Sequence, residues 1–436
     1  MPERAGSRKP DHEWGFRTRA LHAGGRPDPA TGARAVPIYQ TTSFVFEDTA
    51  DAADLFALQK YGNVYSRIAN PTVAAFEERM ASLEGGIGAV ATSSGQAAEF
   101  LSAIALARAG DHIVSSAALY GGTHTLFDVT LGRLGIDVTF VPPSDVDAFA
   151  GAIRPETKFL YTEVIANPSG AVADIAGLAC VAHEHGVPLV IDATLATPYL
   201  CRPIEHGADI VVHSATKFLG GHGTSIGGVI VESGTFDWSN GKFPMMTDPV
   251  ASYGGLRFWE NFAEYAFCTK VRAEQLRDVG ATMSPFNAFL FLQGIETLPI
   301  RMEAHVAAAD AVARHLSEHP AVTWVAYAGL EEHPDHALAK RYLPLGAGAV
   351  FSFGVRGGRD AGRRFIESVD LLSHLANIGD ARTLVIHPAS TTHQQLSDDA
   401  LAAALVSPDL VRISVGLEDV DDILYDLDQA LDRSQS

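Results

Sequence analysis

A lysine directly after a predicted buried strand is the residue in this sequence best suited to covalent chemistry. Lys217 lies in the segment Ser-Ala-Thr-Lys-Phe-Leu-Gly-Gly, just after the apolar run Ile210–Val212. Most lysines are solvated surface residues, so the residue type alone indicates little. Here Ser214 and Thr216 place hydroxyl groups beside the amine, and the following glycines let the backbone approach a ligand closely. In a desolvated, cation-rich pocket such a lysine becomes nucleophilic and forms a Schiff base with a carbonyl cofactor.

A carboxylate is predicted at the same edge of the sheet. Asp192 ends the apolar run Val190–Ile191, and α/β proteins bind ligands at the carboxyl ends of parallel strands. A helix cap or a turn is the competing interpretation. The functional interpretation is specific: pyridoxal phosphate (PLP) draws electrons only while its ring nitrogen is protonated, and a carboxylate partner keeps it so.

A turn between a strand and a helix is a candidate phosphate site. Ser94, Gly95 and Gln96 join the predicted strand Ile87–Ala91 to a helix that begins near Ala97. Free N–H groups and the helix dipole favour an anion there, although an ordinary serine-capped turn has the same pattern. No G-x-G-x-x-G or Walker pattern indicates a dinucleotide or a nucleoside triphosphate instead.

Two further segments carry weaker signals. Tyr120 follows another predicted strand and is suited to stack on a flat ring, although packing is the commoner role of such a tyrosine. Tyr65 and Arg67 lie two residues apart in a segment with little helical periodicity. Arginine makes planar, charge-assisted contacts to phosphate, and a surface arginine is the alternative.

The elements that must position these side chains alternate between strands and helices, which predicts a mostly parallel sheet covered on both faces. The predicted strands are Ile87–Ala91, His112–Ser115, Val138–Val141, Phe159–Val164, Pro188–Ile191, Asp209–His213 and Gly227–Val231. Helical spacing is present in Thr72–Leu83, Ala97–Ala109 and Ile175–His185. We therefore expect an α/β domain over residues 71–285, preceded by an arm over residues 1–70 that is mobile up to residue 20 and mostly extended or irregular from residue 37.

A smaller α+β domain is predicted over residues 286–436. Its expected helices are Pro299–Ser317, Arg359–Val369 and Glu418–Leu431. Its expected strands are Val322–Ala326, Ala349–Phe353, Leu384–Ile386 and Leu410–Val415.

Composition excludes several classes of protein. The 436 residues carry a formal net charge of −20, which argues against nucleic acid or an anionic membrane as a partner. The three cysteines form no C-x-x-C pair, and His183-Glu184-His185 lacks the spacing of a helical zinc pair, so we expect no disulfide framework and no metal. Without an apolar leader or an apolar run of about 18 residues, a cytoplasmic protein is expected.

Together these segments resemble the PLP-dependent Cys/Met metabolism family, the relatives of cystathionine lyases and synthases, from about Phe16 to Leu431. The resemblance implies an aspartate-aminotransferase-like type I fold with a mostly parallel seven-stranded sheet and a smaller C-terminal α+β domain. It implies that Lys217 carries the PLP, that Asp192 pairs with the ring nitrogen and that Tyr120 stacks on the ring. The residues expected to contact the cofactor phosphate, or to lie beside it, are Ser94, Gly95, Gln96, Ser214 and Thr216.

The resemblance also implies residues for substrate and for assembly. Asn167 is expected near the ring hydroxyl of the cofactor, and Arg412 is expected to bind the substrate α-carboxylate. Tyr65 and Arg67 are expected to reach the phosphate of a neighbouring subunit, which requires a dimer and fits a homotetramer. Tyr65 and Asn377 complete the expected substrate-binding set.

Within this family, four stretches are similar to O-acetylhomoserine sulfhydrylases, namely Leu21–Ser43, Phe236–Pro244, Ser284–Leu290 and His387–Leu396. Gly122 replaces a cysteine of methionine γ-lyases, and Asn377-Ile378-Gly379 replaces a Ser-Leu-Gly segment of many lyases and cystathionine synthases. The implied reaction converts O-acetyl-L-homoserine and hydrogen sulfide to L-homocysteine and acetate in methionine biosynthesis. Lys217 would move the Cα proton, and Tyr120 is a candidate for further proton transfer.

Other activities remain open at this point. Cystathionine γ-synthase, O-succinylhomoserine sulfhydrylase and methionine γ-lyase chemistry differ from this reaction only in the pocket. A non-catalytic α/β binding protein is a remote alternative, because the lysine and the aspartate of the site are both present.

Overall fold

A seven-stranded sheet forms the centre of the computed structural model, which describes residues 13–391 and 407–436. Its strands are β1 (Gly88–Thr92), β2 (His112–Ser116), β3 (Asp137–Val141), β4 (Thr157–Glu163), β5 (Leu189–Asp192), β6 (Ile210–Ser214) and β7 (Gly228–Glu232). They lie in the order β1-β7-β6-β5-β4-β2-β3. Strand β7 is antiparallel to both neighbours and the other pairs are parallel, which confirms the predicted mostly parallel seven-stranded sheet.

Both faces of this sheet are buried, which explains why its strands are almost continuously apolar. Successive residues of one strand enter different clusters of the core. Ile191 and Val211 pack in one cluster, whereas Val190, Ile210 and Val212 pack in the other. The polar ends of the strands therefore become the natural place for a site.

Helices cover the sheet, and the predicted ones agree with the structure to within a few residues. The helix predicted at Thr72–Leu83 spans Pro71–Glu84, because Asn70 caps Thr72 N–H at 3.0 Å and Gly85 takes a positive φ at the end. The helices up to residue 279 are α1 (Phe16–His22), α2 (Thr49–Phe56), α3 (Pro71–Glu84), α4 (Gly95–Leu106), α5 (Gly121–Thr125), α6 (Val146–Ala152), α7 (Ile175–Glu184), α8 (Thr197–Leu200), α9 (Pro244–Thr247), α10 (Phe258–Phe262), α11 (Ala266–Lys270) and α12 (Arg277–Val279).

A second, five-stranded sheet follows in the order β10-β11-β12-β9-β8. Its strands are β8 (Val322–Ala326), β9 (Val350–Val355), β10 (Ser373–His374), β11 (Leu384–Ile386) and β12 (Leu410–Ser414). The remaining helices are α13 (Pro285–Glu296), α14 (Leu298–Glu318), α15 (His336–Tyr342), α16 (Gly358–Ser368) and α17 (Val420–Ser434). The smaller α+β unit of the prediction is therefore present.

Two local expectations need correction, and one helix was not predicted. The predicted mobile tail, residues 1–20, is too long. Phe16–His22 is a helix that packs on α3 and α13 and buries Ala20. The predicted extended arm contains α2, which begins at a cap where Asp48 accepts from Asp51 N–H at 2.8 Å. Helix α13 was not predicted at all. Residues 392–396 of the stretch His387–Leu396 lie outside the described residues. Within the described ranges, no helix is long and apolar enough to cross a membrane.

Candidate active site

A cavity of about 250 Å³ opens where the carboxyl ends of the central strands meet. All the predicted site residues except Tyr65 and Arg67 line it. They are Ser94, Gly95, Gln96, Tyr120, Asn167, Asp192, Ser214, Thr216, Lys217, Asn377 and Arg412. Residues far apart in the sequence, on both sheets, therefore surround one space.

Strand register explains why the acidic residues and the lysine segment lie together. Glu163 of β4 pairs with Asp192 of β5, and Asp192 pairs with Val212 of β6. Three parallel strands therefore end at the same level. Ser214 and the turn that carries Lys217 follow immediately.

The Lys217 amine lies inside the cavity. It donates a hydrogen bond to Asn377 Oδ1 at 2.5 Å. Burial lowers the pKa of Lys217 to about 8, and the positive charge of Arg412 contributes to this shift. A lysine with such a pKa is partly neutral near pH 7, as nucleophilic attack on a carbonyl requires.

Helix α4 and the lysine segment form an anion-binding turn. Ser94 caps the helix by accepting from Ala97 N–H at 3.1 Å, whereas N–H groups in the first turn of a helix have no intrahelical acceptor. The N–H groups of Gly95 and Gln96 are therefore the ones that a phosphate would contact. A Cβ atom at Gly95 would lie 2.6 Å from Ser214 Cβ, so only glycine allows this approach.

Carboxyl groups form one wall of the cavity. Asp192 accepts from Thr194 N–H at 2.7 Å. Glu163 accepts from Tyr120 N–H at 2.6 Å and from Asn167 N–H at 3.0 Å, so it holds two loops of the site. Burial raises the pKa of Asp192, and burial together with the charge of Asp192 raises the pKa of Glu163 well above its usual value.

Sequence reasoning missed Glu163 and a third carboxyl group on this wall, Glu99. The argument that selected Asp192, a carboxylate at the end of an apolar strand, would also have found Glu163. Glu99 lies one turn inside helix α4. Nothing in the local sequence distinguishes it from a surface glutamate.

Arg412 of β12 brings a cation from the second sheet to the cavity. Its Nη1 donates to Asn167 Oδ1 at 3.3 Å and its Nη2 donates to the Asn377 carbonyl at 3.1 Å. Both acceptors are neutral, so the positive charge is not compensated by these contacts. Burial accordingly lowers the pKa of Arg412 to about 10. A substrate carboxylate would supply the missing charge in a bidentate pair.

The aromatic residues occupy two different positions. Tyr120 lines the cavity and is 48% exposed, so its ring is free to stack on a flat ligand. Tyr65 is 41% exposed, and the Arg67 guanidinium lies over its ring at 5.2 Å. This pair is on the outer surface of its own chain, away from the cavity lining.

The residues present fit PLP. The lysine has a lowered pKa, the α4 turn offers N–H groups and hydroxyls for a phosphate, and Asp192 offers a carboxyl group for a ring nitrogen. These three functions line one cavity, and a ring that carries an aldehyde, a phosphate and a basic nitrogen requires all three.

Comparison with known proteins leads to the same class. The family model described as Cys/Met metabolism PLP-dependent enzyme matches residues 17–432, and the chain belongs to this family of enzymes, whose cofactor is PLP. Its relatives include an O-acetyl-L-homoserine sulfhydrylase of Leptospira meyeri, which is 52% identical over 95% of this chain and 96% of the relative. A homocysteine synthase of Schizosaccharomyces pombe is 53% identical over 96% of this chain and 98% of the relative.

A solved structure agrees in fold and in cofactor. It is a putative O-acetylhomoserine (thiol)-lyase of Campylobacter jejuni that contains a pyridoxyl-lysine phosphate. The TM-score is 0.93 at 38% identity, and the match covers 96% of this chain and 100% of that one. The predicted type I fold is therefore confirmed.

Proposed function

We propose that this chain is an O-acetylhomoserine sulfhydrylase, which converts O-acetyl-L-homoserine and hydrogen sulfide to L-homocysteine and acetate in methionine biosynthesis. The observation that carries the proposal is the position of the Lys217 amine. It lines the same cavity as Arg412 and the carboxyl groups and is bonded to Asn377, in a chain about half identical over nearly its full length to relatives named as sulfhydrylases and homocysteine synthases.

The predicted site residues of the cavity have roles in this reaction. PLP, once transferred from Lys217 to the substrate amine, would withdraw electrons from the amino-acid substrate and so make its Cα and Cβ protons removable. Arg412 binds the substrate carboxylate in a bidentate pair. The Lys217 amine accepts the Cα proton, and Asn377 Oδ1, already bonded to this amine, orients it.

The remaining residues would hold the cofactor. The N–H groups of Gly95 and Gln96 and the hydroxyls of Ser94, Ser214 and Thr216 would bind the phosphate. Asp192 would keep the ring nitrogen protonated, Asn167 would contact the ring hydroxyl, and Tyr120 would stack on the ring and assist proton transfer. The cavity excludes bulk water from the lysine, since burial is the main cause of its lowered pKa.

Gly122 supports the sulfhydrylase assignment over a γ-lyase. A Cβ atom at this position would lie 2.5 Å from the Tyr120 ring. The cysteine of methionine γ-lyases therefore would not fit beside the ring as Tyr120 is placed here. In this chain the Tyr120 ring occupies the space that a side chain at residue 122 would need.

The proposal includes an assembly. Tyr65 and Arg67 are exposed and do not line the cavity of their own chain, so we place them at the cavity of a neighbouring subunit. A homotetramer built from two such dimers would place every arm at a neighbouring cavity.

We also propose three parts of the chain: an arm over residues 1–70, a PLP domain over 71–285 and a C-terminal domain over 286–436.

Steady-state turnover tests the function. Homocysteine formed from O-acetylhomoserine and sulfide is measured beside O-succinylhomoserine, and beside cysteine as nucleophile. Preference for the acetyl ester and sulfide is the expected result. Cystathionine formation would indicate a synthase, and keto acid with ammonia from methionine would indicate a lyase. Lys217→Ala is expected to abolish turnover in every case.

A further inference from the structure

Glu163 is a buried glutamate at the carboxyl end of β4 to which the proposed reaction gives no role. Its side chain lines the cavity, and the residue is 4% exposed. Its Oε1 atom accepts from the N–H group of Tyr120 at 2.6 Å, and its Oε2 atom accepts from the N–H group of Asn167 at 3.0 Å. Each carboxyl oxygen therefore holds the backbone of a different loop.

The two loops that Glu163 joins carry different groups of the site. Tyr120 lies in the turn between β2 and α5, and its exposed ring lines the cavity. Asn167 follows β4, and its Oδ1 atom accepts from Arg412 Nη1 at 3.3 Å. Because Glu163 fixes the backbone of Asn167, it also limits where this Oδ1 atom lies. The contacts of Glu163 thus extend through Asn167 to the cation of the second sheet.

We propose that Glu163 is a positioning residue that fixes the Tyr120 ring and, through Asn167, the Arg412 guanidinium in one mutual arrangement. The inference rests on the roles proposed above for Tyr120 at the cofactor ring and Arg412 at the substrate carboxylate. Turns are the more mobile parts of a fold, and the end of a central strand is a rigid support. Glu163 connects the two turns to such a support.

Glu163→Gln tests whether both carboxyl oxygens are needed. Glutamine has nearly the same size, but it has one acceptor oxygen, and its amide nitrogen cannot accept from a backbone N–H group. One of the two loops therefore loses its hydrogen bond. In the cofactor-free chain, amide hydrogen exchange at Tyr120 or at Asn167 should become about 10-fold faster.

Glu232→Gln is the matched control for the loss of one such hydrogen bond. Glu232 is buried on β7 of the same sheet, and it accepts from the N–H groups of Phe267 at 3.2 Å and Cys268 at 2.8 Å, one on each carboxyl oxygen. It is not among the residues that line the cavity. Its replacement should leave exchange at Tyr120 and Asn167 within about 2-fold of the parent chain.

Ligand binding by the PLP-loaded chain is the second readout. L-2-Aminobutyrate has the carbon chain of homoserine and no leaving group, and its binding is measured through the absorbance of the cofactor. Glu163→Gln should weaken this binding about 10-fold, because the Arg412 guanidinium is less well placed, whereas Glu232→Gln should change it less than about 2-fold. The circular dichroism of the bound cofactor, which reports how its ring is held, should fall in Glu163→Gln alone.

A double-mutant cycle tests the path through Asn167. Asn167→Ala keeps the backbone N–H group that Glu163 binds, but it removes the Oδ1 atom that contacts Arg412. When Glu163→Gln is added to Asn167→Ala, the binding of L-2-aminobutyrate should weaken by less than about 3-fold, because the contact that transmits the effect is already absent.

Three results would overturn the proposal. They are unchanged exchange at both amides in Glu163→Gln, equal effects of Glu232→Gln on the site, and a full 10-fold loss of ligand affinity that persists in the Asn167→Ala background. If Glu163→Gln does not fold, exchange in the parent chain decides, since unprotected amides at Tyr120 and Asn167 would refute the two hydrogen bonds.

Failure of the proposed function has a different signature. A parent chain that forms no homocysteine from O-acetylhomoserine and sulfide would refute that function. Amide exchange, circular dichroism and the binding of L-2-aminobutyrate do not use turnover, so they test Glu163 in either case.

Discussion

Replacing the central lysine should stabilise the cofactor-free chain while it destroys the activity. The pKa of Lys217 is lowered from 10.5 to about 8, first by burial and then by Arg412. At about 1.4 kcal/mol per unit, holding the ammonium form in the cavity costs about 3 kcal/mol. Lys217→Met removes this cost but also the hydrogen bond to Asn377, worth about 1 kcal/mol. The expected gain at pH 7 is therefore about 2 kcal/mol in the free energy of unfolding.

The sign of the pH dependence follows from the same shift. Below pH 8 the lysine is protonated in both the folded and the unfolded chain, so the full cost is present. Between about pH 8 and 10.5 the folded chain has lost this proton and the unfolded chain still holds it, so the stability of the parent chain rises with pH. The advantage of Lys217→Met should therefore be largest at pH 7 and should shrink as the pH approaches 10.

Urea denaturation of the cofactor-free chains at pH 7 and at pH 9.5 measures both effects. Lys340→Met, on an exposed part of helix α15, is the control for loss of a lysine and should change the free energy of unfolding by less than about 0.5 kcal/mol. A Lys217→Met chain that is less stable than the parent at pH 7, or whose stability difference is the same at both pH values, would refute the reasoning.

Three further substitutions test other walls of the site. Arg412→Gln should raise KM for the amino-acid substrate about 10-fold or more with unchanged PLP affinity, because a bidentate charged pair is lost. Steady-state kinetics and a PLP titration measure the two effects. An equal loss of substrate affinity and PLP affinity would contradict the prediction. Gly95→Ala should weaken PLP binding about 10-fold, because the alanine Cβ would lie 2.6 Å from Ser214 Cβ and push the α4 turn away from the lysine segment. Unchanged PLP affinity in a fluorescence titration would show that this turn does not bind the phosphate. Arg301→Met should lower the free energy of unfolding by about 2 kcal/mol, because Arg301 donates to three backbone carbonyls around the lysine turn. Arg314→Met is an exposed control and should change the free energy of unfolding by less than about 0.5 kcal/mol.

Local sequence was sufficient for most of the elements. Strands β4 to β7 are buried on both faces, so each is a short apolar run with a polar or glycine end. Helix α13 was missed because its own apolar residues lie on all of its faces. Phe291 and Ile295 are buried while Phe286 is 53% exposed, so its pattern has no clear amphipathic period. Helix α2 was missed because it is short and lies within an otherwise irregular arm.

The sequence by itself was sufficient to place Lys217, Asp192 and the Ser94–Gln96 turn at one edge of the sheet, since each follows a strand whose carboxyl end was recognisable. Arg412 and Asn377 could be placed in the site only through resemblance to a family, because nothing near them in the sequence indicates which sheet edge they face. Only the tertiary structure decided that Glu99 lines the same cavity as Asp192. These two residues lie on a helix and a strand that are distant in the chain, and the burial that raises the pKa of Glu99 exists only after both have packed on the same sheet.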